Sequence, residues 1–272
     1  MTRILAVANQ KGGVGKTTTA VNLAASLAVA ESRVLLIDLD PQANATSAFG
    51  IDKAQLRKHA YHAIIDGESL AACTVATELP HLDLVPTTTD LAGAEVELVP
   101  VVERERRLTQ LLAAARGYEF VIIDCPPSLG LLTLNALTAA DAVLIPLQCE
   151  FYAMEGMGHL MATIELVRTH LNPRLAIEGI LLTMYDRRNK LSLQVESETV
   201  AYFGNTVFQT RIPRNVRLSE SPSFGKPAVL YDVTAPGTKA YLELADEVLR
   251  RAPRTPASAP TSAQTPPLQG AA

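Results

Sequence analysis

The chain has 272 residues, of which 48% are hydrophobic and 19% charged, and its formal net charge is −4 at pH 7. This composition supports a packed core and excludes nucleic-acid binding through bulk charge, so such a role would need a local basic patch. The three cysteines form no C-x-x-C pair, which excludes the common zinc and dithiol motifs. No apolar run approaches the ~20 residues that cross a bilayer, and we expect no signal peptide before the first strand.

The first predicted element is an apolar strand over residues 4–8, followed by the loop QKGGVGKTT over 10–18 and a helix over 19–28. A strand, a glycine-rich turn and a helix form the context of a phosphate-binding loop, because glycines let backbone N–H groups turn toward a phosphate. The helix N-terminus adds partial positive charge. We expect Lys16 to contact the β- and γ-phosphates and the Thr17 hydroxyl to bind Mg²⁺.

This loop departs from the standard pattern at two positions. Gln10 stands where a glycine is usual, and a second lysine, Lys11, precedes the glycines. Lys11 would lie on the outer lip of the loop, poorly placed for its own phosphates, and would reach a nucleotide held by a second copy of the chain. The alternative is a chance glycine-rich turn with two solvated lysines, which the flanking strand and helix disfavour.

Two further predicted strands end in aspartate. Residues 34–37 are apolar and lead to Asp38 and Asp40, while residues 120–123 lead to Asp124 in the form of a Walker B strand. The carboxyl ends of strands face the ligand crevice in open α/β sheets, where carboxylates can hold Mg²⁺ or orient an attacking water. The alternative for Asp38 and Asp40 is that they only end a strand or cap the next helix.

The remaining elements indicate a single α/β domain, with a mostly parallel twisted sheet flanked by helices. The predicted strands are 82–86, 142–147 and 177–184, and the predicted helices are 91–99, 104–116, 154–170, 190–203 and 237–251. Residues 51–80 are less informative, with one short helical stretch near 61–66. We expect the domain to span residues 1–252 and the Pro/Ala/Ser/Thr-rich tail, 253–272, to be disordered.

A basic region follows Met184. Between Met184 and Arg217 there are six basic residues against three acidic ones, the reverse of the whole chain. The basic residues are Arg187, Arg188 and Lys190 at the mouth of a helix, and Arg211, Arg214 and Arg217 on a predicted proline-bounded loop. This favours an anionic partner, most simply the phosphates of nucleic acid; an ordinary solubilising surface is the alternative.

Four motifs, over residues 11–18, 38–42, 123–128 and 212–220, together resemble the small chromosomal ParA (Soj-type) partition ATPases of the deviant Walker A, or ParA/MinD, family. The resemblance covers residues 1–252 and not the tail. It implies a P-loop NTPase that forms a sandwich homodimer with ATP and Mg²⁺ at the interface. The loop residues implied to contact the nucleotide are Lys11, Gly12, Gly13, Val14, Gly15, Lys16, Thr17 and Thr18.

The resemblance also implies individual roles. Lys11, Lys16 and Asp40 would be catalytic, with Lys11 reaching the partner's phosphates and Asp40 polarising the hydrolytic water. Thr17, Asp38 and Asp124 would lie near Mg²⁺. Pro213 and Asn215 match the adenine-contacting loop, and Arg188 and Arg217 match positions that bind double-stranded DNA without sequence preference.

A ParB-like protein would stimulate the weak ATPase through a basic N-terminal segment, and the protein would be cytoplasmic and nucleoid-associated. Ala43 stands where the family often has glycine, which concerns the mobility of this loop and not its chemistry.

Three alternatives differ in class. A MinD-like membrane ATPase shares the nucleotide site but needs a C-terminal amphipathic helix, whereas this chain ends in a proline-rich stretch, so no membrane partner is expected. An iron–sulfur carrier needs bridging cysteines, whose spacing Cys125 and Cys149 lack. A non-enzymatic scaffold would not need the intact phosphate loop or Asp40.

Overall fold

A computed structural model of the chain describes residues 2–150 and 153–251. Its strands are β1 (Arg3–Val7), β2 (Val34–Asp38), β3 (Val75–Ala76), β4 (Leu82–Val85), β5 (Phe120–Asp124), β6 (Ala142–Gln148), β7 (Ala176–Tyr185) and β8 (Val207–Pro213). Its α-helices are α1 (Lys16–Val29), α2 (Asn44–Ser47), α3 (Leu70–Cys73), α4 (Leu91–Glu97), α5 (Arg107–Leu112), α6 (Leu131–Ala139), α7 (Ala153–His170), α8 (Lys190–Phe203), α9 (Val216–Glu220), α10 (Ala228–Tyr231) and α11 (Pro236–Arg251). None of the helices described is long and apolar enough to cross a membrane.

The eight described strands form one sheet in the order β3-β4-β2-β5-β1-β6-β7-β8. Only the short edge strand β3 is antiparallel to its neighbour; the other pairs are parallel. Every residue of β2 and β5 is buried, as expected for strands covered by helices on both faces. The predicted α/β class with a mostly parallel sheet is confirmed.

The strand register brings the C-terminal ends of β1, β2 and β5 together. β5 lies between β1 and β2, with Asp124 opposite Val7 on one side and opposite Asp38 on the other. The glycine-rich loop leaves β1 at this same edge. Ligand sites in open α/β sheets lie outside the carboxyl ends of the strands, and here the sequence motifs converge on that place.

Helices cover both faces of the sheet with apolar side chains. One face packs against α1 and α11, including Leu23, Leu27 and Leu244, and the other against α5, α6 and α7, including Leu108 and Leu160. α11 packs on α1 and β8, and the Tyr241 hydroxyl lies 3.1 Å from that of Thr19. The helix that begins at the phosphate loop is therefore enclosed between the sheet and the last helix.

Several predicted boundaries were wrong. The helix predicted over 104–116 is a 3₁₀ turn, Arg104–Arg106, followed by α5, which ends before Gly117 adopts a left-handed φ of 88°. α6 and β8 were not predicted. Of the arginines predicted on a loop, Arg211 lies within β8 and Arg217 within α9. The prediction for the tail, 253–272, lies outside the described residues.

Candidate nucleotide-binding site

The phosphate loop runs from the end of β1 to the first turn of α1. Gly13 and Gly15 have φ angles of 76° and 91°, in the left-handed region that favours glycine. A Cβ added at Gly12 or Gly13 would meet no atom within 4 Å. Packing within the chain therefore does not explain why residue 12 is glycine, whereas an approaching phosphate would.

The side chains of Thr183 and Asn9 fix the loop on the sheet. Val14 is buried, and its carbonyl oxygen accepts a hydrogen bond from the Thr183 hydroxyl of β7 at 2.8 Å. Asn9 donates to the Pro146 carbonyl of β6 at 2.7 Å and accepts from the Lys11 N–H at 3.1 Å. The backbone that would surround a phosphate is thus held in place from both ends.

Lys16 begins α1 and is only 6% exposed. Its ammonium donates to the Lys11 carbonyl at 2.9 Å and so lies across the mouth of the loop. Burial lowers the pKa of Lys16, and the negative charges of Asp124 and Asp40 partly oppose that shift. Thr17 and Thr18 follow on the same turn, half-buried.

Asp38 is fully buried and held by Thr46, a residue that sequence reasoning missed. One Asp38 oxygen accepts the Thr46 N–H at 2.8 Å and the Thr46 hydroxyl at 2.7 Å, and the other accepts the Asp40 N–H at 3.2 Å. Burial raises the pKa of Asp38 to about 6, against the opposing effect of the Thr46 hydrogen bonds. Asp38 therefore acts as a fixed acceptor within the protein.

Asp124 is also fully buried, but neither of its oxygens receives a well-formed hydrogen bond from the described residues. The Thr17 hydroxyl lies close enough to favour the charged form of Asp124. Burial and the neighbouring charge of Asp38 nevertheless raise its pKa well above the usual range. Buried carboxylate oxygens without donors call for a cation, since nearly all buried polar groups have a partner.

Magnesium fits this arrangement. Mg²⁺ prefers oxygen ligands and is commonly held by one or two protein groups together with waters and substrate phosphates. The described residues contain no cluster of three or more His, Cys, Asp or Glu that could hold a metal alone. The unpaired Asp124 oxygens and the Thr17 hydroxyl are the groups suited to Mg²⁺, with phosphate oxygens completing its shell.

Asp40 is 5% exposed, and its Oδ1 accepts the Gln42 N–H at 3.0 Å. This bond belongs to a tight turn in which Ala43 has φ 55°, a left-handed conformation that glycine adopts at lower cost. The position where the family often has glycine is thus one where the backbone is strained. The turn thus engages Oδ1 of Asp40 with its own backbone.

A cavity of about 660 Å³ adjoins the loop. It is lined by the start of α1, by Met184, by Pro213 at the end of β8 and by Asn215 just after it. Asn215 Oδ1 is buried without a hydrogen-bond partner among the described residues, and Met184 has a strained φ of 49°. An unsatisfied acceptor in a cavity of this size suits a ligand with an amino group, such as adenine.

The basic residues lie at the adjoining edge of the sheet, where the Arg214 N–H donates to the Tyr185 carbonyl at 3.4 Å. Arg188 is 88% exposed and pairs with Asp186 at 3.0 Å. Arg217 pairs with Glu220 at 2.9 Å and lies over the Tyr231 ring, 5.9 Å from its centroid.

The other basic residues differ in their partners. Arg211 pairs with Glu196 at 2.8 Å inside the fold. Arg187, Lys190 and Arg214 are exposed and form no ion pair within the part of the chain described. The exposed members follow the carboxyl ends of the neighbouring strands β7 and β8 and define one basic surface, whereas Arg211 lies within β8 and does not belong to it.

Comparison with known proteins agrees with this geometry. A family model described as AAA domain matches residues 2–177. Sporulation initiation inhibitor protein Soj of Bacillus subtilis (strain 168) is 55% identical over 249 residues, covering 91% of this chain and 98% of that protein. Chromosome partitioning protein ParA of Caulobacter vibrioides (strain NA1000 / CB15N) is 55% identical over 252 residues, covering 92% and 94%.

A solved structure with a different name is also similar. The crystal structure of cobyrinic acid a,c-diamide synthase from Mycobacterium smegmatis, with bound ADP and magnesium, superposes with a TM-score of 0.80. It is 41% identical, covering 92% of this chain and 95% of that chain. Together with the relatives and the P-loop architecture, this confirms the resemblance drawn from the four motifs. The chain belongs to the ParA/Soj family of chromosome-partitioning ATPases, within the ParA/MinD group of P-loop proteins.

Proposed function

We propose that this protein hydrolyses ATP to control its own attachment to DNA. With ATP bound it forms a sandwich homodimer that binds double-stranded DNA without sequence preference, and hydrolysis, stimulated by a ParB-like protein, releases it. The observation that carries the ATPase part is the buried Asp124 carboxylate, whose unpaired oxygens adjoin the Thr17 hydroxyl at a glycine-lined loop. We place the protein in the cytoplasm, on the nucleoid.

Each group of the nucleotide site has a proposed contact with ATP. Backbone N–H groups of residues 12–18 and the Lys16 ammonium bind the phosphates, which displaces Lys16 from the Lys11 carbonyl. Lys11 would contact the phosphates of the partner's nucleotide. Pro213 and Asn215 would contact adenine, with the free Asn215 Oδ1 accepting its amino group.

Magnesium supplies charge neutralisation at the developing phosphate charge when it is bound. Thr17 and Asp124 would hold it, directly or through water, while Asp38 fixes the turn that carries Asp40. Asp40 would orient the attacking water through the oxygen that does not bond to Gln42. Each of these residues acts from the carboxyl edge of β1, β2 or β5, or from the loop that follows it.

The name of the M. smegmatis protein suggests amide transfer as a second activity, and the cysteines argue against glutamine-dependent amide transfer here. Such chemistry uses a thiolate nucleophile. Cys73, Cys125 and Cys149 are buried, and burial raises the pKa of each thiol. The relatives that share 55% identity are named for chromosome partitioning or for sporulation.

The MinD-like alternative is also less well supported. α11 is the amphipathic helix near the C-terminal end of the described chain. Its apolar residues Leu244 and Val248 are fully buried against α1 and the sheet. They are therefore not available to enter a bilayer.

Asp40→Ala tests the mechanism. The variant should bind ATP and dimerise, because the sandwich needs only bound nucleotide, but its turnover should fall at least about 100-fold, since no group orients the water. It should also stay on DNA longer than the unmodified protein. The measurements are steady-state phosphate release and binding to two unrelated duplexes with no nucleotide, ADP or ATP.

Asp246→Ala is the matched control, because it removes an exposed aspartate of α11 and should change nothing. If the unmodified protein bound DNA equally with and without ATP, the proposed cycle would be wrong. If only the Asp40→Ala variant hydrolysed ATP at the normal rate, the cycle would stand and the water-orienting role would belong to another residue.

A further inference from the structure

The ammonium of Lys11 is engaged within its own chain. It forms an ion pair with the carboxylate of Glu150, which lies just beyond the end of β6. The two side chains are 38% and 31% exposed, so solvent reaches the pair from one side only. This contact holds the lysine away from any second copy of the chain.

Glu150 depends on this lysine for its charge balance. Its Oε1, the oxygen that contacts the Lys11 ammonium, is buried and has no other donor in the described ranges. Lys11 is therefore the one cation paired with it among those residues. Because an unpaired, partly desolvated carboxylate is unfavourable, withdrawal of Lys11 carries an energetic cost at Glu150 as well.

The backbone of Lys11 is fixed in the same place. Its N–H donates to Asn9, which is itself bonded to the β6 carbonyl of Pro146. Its carbonyl accepts the Lys16 ammonium at 2.9 Å. Lys16 must leave this carbonyl to bind a phosphate, so nucleotide binding in the same chain loosens one of the contacts that hold Lys11.

We propose that Glu150 is a positioning residue that retains Lys11 in the monomer and sets how much phosphate charge is needed to draw Lys11 across to a second copy. This inference rests on the proposed dimer. A triphosphate has one more charged phosphate group than a diphosphate. It therefore competes better than a diphosphate with the Glu150 carboxylate for the Lys11 ammonium. Glu150 thereby helps to make dimerisation depend on ATP and not on ADP.

The size of the effect follows from the exposure of the pair. Breaking one partly exposed ion pair changes the equilibrium constant for dimerisation by up to roughly fivefold. A two-fold symmetric dimer breaks two such pairs, so the effect on dimerisation is roughly 25-fold at most. Glu150→Gln keeps the shape of the side chain and removes the charge that retains Lys11.

The first test is made on the nucleotide-free protein and does not require a dimer. Lys11 acetylation by an N-hydroxysuccinimide ester is followed by peptide mass spectrometry. Labelling of Lys11 should be several-fold faster in Glu150→Gln, and Glu150→Asp, which keeps the charge, should restore much of the protection. Glu105→Gln is the control, because Glu105 is 26% exposed and pairs with Arg104 elsewhere on the surface. An unchanged labelling rate would overturn the inference.

The second test is dimerisation, measured by analytical ultracentrifugation with a non-hydrolysable ATP analogue or with ADP. Glu150→Gln should dimerise roughly 5- to 25-fold more tightly with the analogue and should show dimer with ADP at concentrations where the unmodified protein shows none. Adding Lys11→Ala to Glu150→Gln should abolish the gain.

The outcomes separate the two proposals. If the unmodified protein dimerises and Glu150→Gln dimerises equally or less, the inference is wrong and the dimer stands. If the unmodified protein does not dimerise with either nucleotide, the proposed function is wrong. The labelling experiment decides in either case whether Glu150 retains Lys11.

Discussion

Asp124 is the residue at which folding and function conflict most directly. A buried carboxylate whose oxygens receive no well-formed hydrogen bond is unfavourable, and among the described residues the protein keeps one at the end of its central strand β5. Asp38, one strand away, is equally buried but has three hydrogen bonds. The difference indicates that Asp124 is kept for a ligand and Asp38 for the geometry of its own loop.

Asp124→Asn should therefore stabilise the nucleotide-free protein while impairing the site. An amide of the same shape removes the buried charge, and we expect the free energy of unfolding to rise by about 1 kcal/mol. Magnesium should no longer strengthen ATP binding. Thermal unfolding without nucleotide, and ATP titrations with Mg²⁺ or EDTA, measure the two effects. Asp246→Asn, on the exposed face of α11, should alter neither; a less stable Asp124→Asn protein would contradict the argument.

At the scale of elements, α11 is attached to the sheet by a buried carboxylate. Glu247 accepts the N–H groups of Gln209 and Thr210 at 2.9 and 3.0 Å, and the Thr210 hydroxyl at 2.9 Å. It also pairs with Arg251 at 2.7 Å. Burial alone would raise the pKa of Glu247, but these bonds outweigh burial and lower it. The charged form therefore stabilises the packing of α11 on β8.

Glu247→Gln should lower the free energy of unfolding by about 2 kcal/mol near pH 7. The amide has one acceptor oxygen where the carboxylate has two, so it cannot accept all of these hydrogen bonds. A carboxyl group whose pKa is lowered by folding stabilises the protein above its unfolded pKa and loses that effect as pH falls. The difference from the unmodified protein should thus be constant from pH 6 to 8 and shrink below about pH 4. Urea unfolding at several pH values measures it. Glu243→Gln, on the exposed side of α11, is the control; a difference independent of pH would refute the assignment.

The strands that could be predicted from sequence share one property. β2 and β5 are buried on both faces and so appear as unbroken apolar runs ending in aspartate. β8 was missed because Gln209, Thr210 and Arg211 interrupt its apolar pattern, and all three bond to Glu247 or Glu196. α6 was missed because its residues are apolar on nearly every side, which gives no helical period.

The candidate site was predictable where the chemistry lies in one short segment. The glycines, Lys16, Asp38 and Asp124 were found because their spacing follows strand ends. Thr46 and Glu150 were not found, since their roles depend on contacts across the fold, to Asp38 and to Lys11. Hydrophobic periodicity carries no information about such pairs.

At the scale of the whole molecule, charge is distributed unevenly. The net charge of −4 opposes approach to a polyanion. One exposed surface nevertheless carries Arg187 and Lys190, which form no ion pair among the described residues, and Arg214, whose charge acts on Asp186. Arg188 and Arg217 belong to the same surface and exchange carboxylate partners for phosphates if they bind DNA. A two-fold dimer presents this surface twice.

Arg188→Glu and Arg217→Glu should each weaken binding to any duplex while leaving ATP-dependent dimerisation intact. Each change removes a contact from both protomers, so the slope of log affinity against log salt should become less steep by about two. Titrations of two unrelated duplexes at several salt concentrations measure this. Arg174→Glu changes the net charge equally at an exposed position before β7 and is the control. A loss of affinity confined to one duplex would show sequence readout and not phosphate contact.

The packing of α1 against α11 has a consequence for biosynthesis. The two helices share a core, and the Tyr241 hydroxyl meets that of Thr19 one turn beyond the phosphate loop. A ribosome must add about 220 residues after Lys16 before it reaches the first residue of α11, which at ~5–20 residues per second takes on the order of ten to forty seconds. During that interval the outer face of α1 is uncovered and available to chaperones. A nascent chain therefore completes the core around α1 only after residues 236–251 have been translated.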